Sequence, residues 1–189
     1  LRRQRQMCIR DRTQAMNAWV ILRDISFDRI FTSDLARAKM TAEQIAVYHP
    51  DTEFIETELL REIDYGTYNW MKRDDLKKVK WLTTFDEWME FLQQDDQIES
   101  GASMHARAWK LSEFIAWYGE LEHVLIVSHS TFLSYLRAYL LGMNIEEAIA
   151  NKRSFANCSV SIYEWMRWNR TEAIVDVTTP LPESESDEI

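Results

Sequence analysis

Hydrophobic positions along the chain switch between helical and strand-like spacing, in an order typical of a layered α/β domain. Near the N-terminus, a helical face is predicted from Ala15, Ala18, Trp19 and Leu22. The run from Asp28 to Thr32 then predicts a short strand. Ser33 and Asp34 are the expected N-cap of a second helix. The apolar face of that helix consists of Leu35, Ala38, Ala42, Ile45 and Ala46.

The same alternation continues to the end of the chain. We predict a strand over 52–57, a helix over 85–94 within an excursion rich in Trp, Asp and Lys, and further helices over 103–119 and 132–140. The apolar run His123 to Val127 predicts a strand buried on both faces. A terminal hairpin is expected to turn at Asn169 and Arg170. The acidic stretch 180–189 has little to bury and is expected to be disordered.

Strands that alternate with helices predict an α/β fold, a three-layer α/β/α sandwich with a mainly parallel sheet. The length of 189 residues fits one domain. In open α/β sheets, ligands bind beyond the carboxyl ends of the strands. The residues that follow those ends are therefore the first candidates for function.

Charge and composition narrow the class of partner. The formal net charge of −9 disfavours binding to nucleic acid or to an anionic membrane, so neither is an expected partner. No apolar run approaches the roughly 20 residues of a membrane span. The basic N-terminus lacks the apolar stretch of a secretory signal. Two cysteines are too few for a disulfide framework, so a cytoplasmic location is expected.

Three polar residues stand where a pocket would form. His129 follows VLIVS and precedes a helix whose free N–H groups and dipole favour an anion. Arg37 falls in the first turn of a helix, where a cation opposes the dipole, so an anionic partner would explain it. Glu62 lies in the aromatic-flanked segment LLREIDYGTYNW, where partial desolvation would suit it to proton donation.

Each of the three also has an ordinary structural explanation. A histidine at a strand end is commonly a hydrogen-bonded core residue, and Arg37 could pair with a surface aspartate. Glu62 could begin a helix or face solvent. Taken singly, these structural roles are favoured, so the chemical hypothesis depends on the order in which the three occur.

Five segments, in this order, resemble those of the histidine phosphatase superfamily. FTSDLARAKMTAEQIA is similar to its S-x-L-x-R-A-x-x-T-A segment and contains Arg37. LLREIDYG, with Glu62, resembles L-x-E-x-x-x-G, and GASMHAR, with Arg107, resembles a G-x-S segment followed by arginine. VLIVSHSTFL resembles the second-histidine segment, and FANCSVSIYEW the closing strand. The resemblance spans about residues 13–178.

The resemblance implies a phosphoglycerate mutase-like fold that acts on a small phosphorylated substrate. Arg37 would bind the phosphoryl group, and Glu62 would be the general acid that protonates the leaving alcohol. His129 would be the second catalytic residue and would hydrogen-bond the phosphoryl oxygens, with the helix N-terminus at Ser130 behind it. Positive charge and donors on the equatorial oxygens suffice for this chemistry, so no metal and no other cofactor is expected. The four histidines also lack metal-ligand spacing.

The nucleophile that the family carries in an R-H-G segment is missing from the sequence. No histidine precedes His49, which stands before Pro50 in no such context. Asp11, in Arg10-Asp11-Arg12, is a disfavoured replacement. We interpret residues 1–12 as foreign to a truncated domain over 13–179. The first, central strand would then be missing or replaced, and the chain would be inactive.

Three functional hypotheses follow. The leading one is a phosphoric monoester hydrolase of the histidine phosphatase type that acts through a phosphohistidine. A phosphoglycerate mutase is the alternative within the same fold, and a non-catalytic phosphate-binding or interaction module is the alternative from another class. Residues 67–100 are expected to form a lid or substrate excursion. The sequence indicates neither the substrate nor the oligomeric state.

Overall fold

A parallel sheet lies at the centre of the computed structural model, which describes residues 18, 21–69, 71, 73–151, 155, 158–166 and 169–177. Its strands are β1, Arg29–Ser33, β2, Glu53–Thr57, and β3, Val124–Val127. Their spatial order is β2–β1–β3, and both pairings are parallel. β1 is therefore the central strand of this sheet, and its last four residues are buried.

The register of the three strands brings their carboxyl ends to one edge. Phe31 pairs with Ile55 on one side and with Ile126 on the other. Thr32 of β1 is likewise level with Val127 of β3. The segments that leave all three strands consequently start close together, at the edge where α/β sheets bind ligands.

Helices connect and cover the strands. The α-helices are α1, Ala36–Ala46; α2, Arg73–Val79; α3, Phe85–Gln94; α4, Gly101–Ala116; α5, Ser130–Leu140; and α6, Ile145–Ala150. Short 3₁₀ turns cover Glu58–Leu60 and Gly66–Tyr68. The α/β class with a parallel sheet is thus confirmed. Of the N-terminal helix predicted over Ala15 to Leu22, residues 18, 21 and 22 are described, and they are helical.

The two faces of β1 bury different helices. The Phe31 side chain belongs to one cluster with residues of α4 and α5, including Leu111 and Phe132. Ile30 points to the opposite face, as strand alternation requires, and is fully buried. Helix α1 contacts β1 and β3 and buries its own apolar residues, including Ala42. Helices therefore cover both faces of the sheet.

The excursion after β2 adds to the main core. Leu76 of α2 and Trp88 and Leu92 of α3 are buried in the cluster that contains Phe31. The predicted helix over 85–94 is confirmed, and it begins with a capping box between Thr84 and Glu87. Helix α2 was not predicted, because its seven residues carry few apolar positions from which to read a period.

A second, antiparallel sheet ends the described chain. It pairs β4, Val160–Met166, with β5, Asn169–Val177. The predicted hairpin is confirmed, but its turn is not at Asn169 and Arg170. Asn169 pairs with Met166 and Arg170 with Trp165, so both already belong to β5. The stretch 180–189 lies outside the described residues.

Two further expectations were wrong in detail. Ser33 and Asp34 do not cap α1; Ser33 ends β1, and Leu35 is the N-cap residue without a side-chain cap bond.

β3 is half-buried along its whole length rather than buried on both faces. Within the described part of the chain it pairs only with β1, which leaves it at the edge of the three-stranded sheet. The proposed loss of a central strand concerns residues outside that part and stays a prediction.

Candidate active site

His129 lies between two side chains from the first β-α connection. It is the N-cap residue of α5 and is 7% exposed. Arg37 Nε donates to His129 Nδ1 at 3.0 Å, and Nε2 lies 2.9 Å from Ser33 Oγ. A guanidinium can only donate, so Nδ1 is an acceptor and the ring proton of the neutral imidazole is on Nε2. Ser33 Oγ then accepts from Nε2 and also from the Leu35 N–H at 3.2 Å.

The surroundings of His129 oppose its protonation. Burial lowers the pKa of the imidazole to about 4, and the positive charges of Arg37 and Arg107 act in the same direction. The Asp34 carboxylate acts against them to a smaller extent. At neutral pH, His129 is therefore an uncharged ring that can offer one donor and one acceptor.

Glu62 reaches the N-terminus of the same helix. It lies between the two 3₁₀ turns in a stretch without regular structure. Its Oε1 accepts from the Phe132 N–H at 3.0 Å and from its neighbour Ile63 N–H at 3.0 Å. Its Oε2 accepts from the Thr131 N–H at 3.2 Å. The amide groups that we expected to be free for an anion are thus bound to a carboxylate of the protein itself, which the helix dipole also favours.

Arg37 differs from Arg61 and Arg107 at this edge, because no carboxylate of the described residues pairs with its charge. Residue 37 is exposed, and among the described residues no carboxylate lies within ion-pair distance of it. The anionic partner expected for a cation in the first turn of a helix is therefore not a side chain of the described part. The His129 ring takes only one of its five N–H groups.

The neighbouring arginines are held in ion pairs. Arg61 Nε donates to Asp34 Oδ1 at 2.8 Å, and its Nη2 also contacts Asp34. This contact lowers the pKa of the Asp34 carboxyl from its usual range. Arg107 forms a bidentate pair with Glu99, with Nε–Oε1 and Nη2–Oε2 distances of 3.0 and 2.7 Å.

Two serines beside His129 bond to segments from elsewhere in the chain. Ser128 Oγ donates to the Leu60 carbonyl at 2.7 Å and so links the end of β3 to the segment that leads to Glu62. Ser130 Oγ accepts from the Phe155 N–H at 3.1 Å. The Ser130 side chain therefore already has a partner, whatever its role toward a ligand.

The structure brings the four residues singled out in the sequence, Arg37, Glu62, His129 and Ser130, to one end of α5. It adds Ser33, whose contact with His129 joins residues 96 apart in the sequence. The polar position at the end of β1 was the available signal, but we had interpreted it as a helix cap. Asp34 with Arg61, and Arg107 with Glu99, were also missed as pairs, because ion pairs between distant segments leave no local pattern.

Chemically, this arrangement combines a neutral imidazole, a carboxylate and a cation that has no carboxylate partner among the described residues, all around a helix N-terminus. Such a set can hold an anion and move a proton. Among the described residues, no three His, Cys, Asp or Glu side chains are grouped as metal ligands. No helix in the same part of the chain is both long and apolar enough to cross a membrane.

Comparison with known families and proteins gives a consistent result. The model of the histidine phosphatase superfamily, branch 1, matches residues 8–176. The adenosylcobalamin/alpha-ribazole phosphatase of Escherichia coli is 30% identical over 136 residues, which are 70% of this chain and 66% of that protein. A probable 2-carboxy-D-arabinitol-1-phosphatase of Arabidopsis thaliana is 31% identical over 82% of this chain but only 31% of its own length. This chain thus spans less than two thirds of both relatives.

A probable phosphoglycerate mutase, GpmB of Salmonella choleraesuis, is 31% identical over 86% of this chain and 76% of its own. Among solved structures, YhfR of Bacillus stearothermophilus has a TM-score of 0.71 at 24% identity and covers 86% of this chain and 80% of that one. The alpha-ribazole phosphatase of Shigella flexneri has a TM-score of 0.67 at 24% identity, over 86% and 83%. These two structures share the fold described above.

Proposed function

This chain belongs to the histidine phosphatase superfamily, and from that membership we propose that its domain is a phosphoric monoester hydrolase of the histidine phosphatase type. One observation carries the proposal: Arg37, His129 and Glu62 gather at the N-terminus of α5. A phosphoryl group requires positive charge and hydrogen-bond donors around its oxygens. The cation of Arg37 can supply the charge, and the His129 ring before α5 can supply a donor.

The binding role falls to Arg37, His129 and the end of α5. The guanidinium of Arg37 lacks a carboxylate partner in the described part of the chain, so a phosphoryl oxygen can take that place without breaking an ion pair. His129 carries its proton on Nε2, and this N–H would turn from Ser33 Oγ to a phosphoryl oxygen. Because this ring is neutral, it would add a donor without a second full charge. Ser130, the first residue of α5, would lie behind the phosphoryl group.

The proton-transfer role falls to Glu62. In the first step, a nucleophilic histidine nitrogen bonds to phosphorus, the P–O bond to the alcohol breaks, and protonated Glu62 gives its proton to the leaving oxygen. In the second step, water attacks the phosphohistidine, Glu62 takes a proton from that water, and phosphate leaves. The contacts with Thr131 and Phe132 hold the carboxylate, the proton-accepting form of the second step, at the end of α5.

The nucleophile of the first step has no counterpart in this sequence. Histidines occur only at positions 49, 105, 123 and 129. His49 packs edge-on against Phe27, and His105 Nε2 is 3.1 Å from the Met143 carbonyl. His123 precedes β3, so it lies at the sheet edge opposite to the site. We therefore propose that the chain with this sequence binds phosphate but does not turn over.

The proposal predicts that hydrolysis depends on an added R-H-G segment. We would assay p-nitrophenyl phosphate at mildly acidic pH, without metal, with this chain and with a version in which an R-H-G-bearing segment replaces residues 1–12. Only the second protein should hydrolyse the ester. Arg37→Ala in that protein should lower kcat at least about 100-fold, as loss of a transition-state donor does elsewhere. Arg23→Ala, which removes an arginine paired with Asp24 before β1, is the control that should change little.

Hydrolysis by the unaltered chain would contradict the proposed loss of the nucleophile. A folded R-H-G version that stays inert would instead contradict the hydrolase proposal and favour a phosphate-binding module. Measuring the binding of inorganic phosphate directly distinguishes these two alternatives further. Retention of inorganic phosphate binding in the inert protein, and its loss in Arg37→Ala, would support the module.

A phosphoglycerate mutase is the second candidate, and the likeness to GpmB over 86% of this chain favours it. Supplying a monophosphoglycerate to the R-H-G version distinguishes the two activities. Release of inorganic phosphate indicates the hydrolase, and formation of the isomeric phosphoglycerate indicates the mutase. A mutase must keep its phosphohistidine from water, whereas a hydrolase must admit water to it.

The remaining assignments are proposals of the same rank. We propose that residues 13–179 form the phosphatase domain, that 67–100 shape the choice of substrate, and that the protein is cytoplasmic. The packing of Trp88 and Leu92 in the main core supports a fixed position for α3 beside the segment that carries Glu62. Residues 1–12 and 180–189 are proposed to lie outside the domain.

A further inference from the structure

Arg107 holds the backbone of the segment that carries Glu62. Its Nη1 donates to the carbonyl oxygens of Leu59 at 3.2 Å and of Arg61 at 2.5 Å. The Arg61 carbonyl belongs to the peptide group that joins Arg61 to Glu62. The guanidinium thus fixes the main chain immediately before the carboxylate, in a stretch that has no helix or strand of its own.

The same guanidinium also contacts the helix end that receives the carboxylate. Its central carbon lies 4.4 Å from the centre of the Phe132 ring. The backbone N–H of Phe132 donates to Glu62 Oε1 at 3.0 Å. Arg107 therefore touches both the peptide before Glu62 and the residue that binds the Glu62 side chain.

A carboxylate anchors Arg107 in this position. Glu99 binds Nε and Nη2 in a bidentate pair, and both side chains are only 14% exposed. The pair leaves Nη1 to reach the two carbonyls. This geometry requires the planar fork of arginine, since a lysine ammonium is a single point from which the four contacts cannot all be made.

We propose that Arg107 is a positioning residue for Glu62: its fork fixes the main chain before Glu62 and the first turn of α5, and so sets the carboxylate against the Thr131 and Phe132 amides. The catalytic consequence rests on the proposed function, because it assumes that Glu62 is the proton donor. The structural consequence does not, and it can be measured in the chain as it stands.

The first test compares the Thr131 and Phe132 backbone amide resonances by ¹H–¹⁵N NMR at one neutral pH. Glu62→Gln should shift both resonances in the unaltered chain, because it removes the charge that these two N–H groups bind. Arg107→Met and Arg107→Lys should each reduce this Glu62→Gln shift at least about twofold, because both lose the fork. Ile115→Val is the matched control: it removes a buried methylene group from the same helix without touching the fork, and it should leave the Glu62→Gln shift unchanged.

An undiminished Glu62→Gln shift of both amides in a folded Arg107 variant would overturn the proposal. Arg107→Lys keeps the positive charge, so the comparison can still be made if Arg107→Met does not fold. If Ile115→Val reduced the shift as much as Arg107→Lys does, the proposal would also be overturned, because the effect would then come from general destabilisation of α4.

The second test uses the R-H-G version and separates this inference from the proposed function. There, Arg107→Lys should lower kcat about 100-fold, the order expected for a misplaced catalytic group, while KM changes less than about threefold. Equal losses in kcat and substrate binding would contradict a positioning role. An inert R-H-G version would overturn the hydrolase proposal alone, because the amide comparison still decides the role of Arg107.

Discussion

His129 shows how single contacts fix the state of a titratable group. Its ring is buried between the Arg37 guanidinium, which donates to Nδ1, and the Ser33 hydroxyl at Nε2. A protonated ring would carry a hydrogen on Nδ1 and would meet the Arg37 donor and its charge. Both desolvation and charge therefore favour the neutral ring, and both lower its pKa.

This pKa predicts how stability depends on pH. In the unfolded chain the imidazole takes up a proton near its ordinary pKa of 6.5, but the folded protein does so only near about 4. The unfolded state thus binds more protons between these values, and the free energy of unfolding should fall as pH drops through them, by on the order of 3 kcal/mol. Above pH 6.5 both states are neutral and the effect disappears.

Urea unfolding of the chain and of His129→Asn at pH 7.5 and pH 4.5 measures this term. The difference between the two proteins should shrink at the lower pH, because only the histidine chain loses the stability in question. An equal loss in both would mean that other groups cause the acid sensitivity and that the His129 pKa is not lowered.

At the scale of elements, α4 and α5 meet at a position that only glycine fits. A Cβ built on Gly101 would lie 2.7 Å from Tyr135 Oη and 3.3 Å from the adjoining ring carbon. Tyr135 is 6% exposed, and its rigid ring has little room to move. The first residue of α4 therefore approaches α5 more closely than any side chain would allow.

Gly101→Ala should accordingly destabilise the protein by about 1–3 kcal/mol, the usual cost of overpacking. Tyr135→Phe removes the nearest atom, so the same alanine in that background should cost much less. Thermal or urea unfolding of the four proteins of this double-mutant cycle gives the coupling. Additive losses would show that the Gly101 contact is not the cause.

At the scale of the whole molecule, the described chain contains two sheets that are not paired with each other. The parallel sheet is covered by helices on both faces, and Phe31 and Thr32 of its central strand are fully buried. In strand pairing within the described residues, β4 and β5 pair only with each other. Two-stranded sheets are marginally stable without further support.

Native-state hydrogen exchange should therefore give different free energies of opening for the two sheets. Amides of Phe31 and Thr32 are expected to exchange only through global unfolding, whereas those of Ile162 and Ile174 in the hairpin should exchange through smaller openings. Low concentrations of denaturant should leave the free energies of opening of the hairpin amides nearly constant and should reduce those of the β1 amides. Equal free energies for both sheets would show instead that they unfold as one unit.

Much of the fold could be predicted because its signals are local. The period of apolar residues predicts the strands around Phe31 and Ile126 and the helices α1, α4 and α5, and Gly142, in the left-handed region, follows the end of α5. The errors occurred at positions whose structure depends on contacts with segments distant in the sequence. The cap of α1 and the burial of β3 depend on which segments lie alongside, and that information is not in the local pattern.

The sequence by itself determined the class of the fold, the order of its elements, the resemblance to a family and the candidates Arg37, Glu62, His129 and Ser130. Only the tertiary structure decided what surrounds them. It places Ser33 and Arg37 on the His129 ring, the Glu62 carboxylate on the amides of α5, and the Arg107 fork on the main chain before Glu62. The physical reason is that spacing along a chain records periodicity, whereas hydrogen bonds and pKa shifts depend on distances between segments far apart in the sequence.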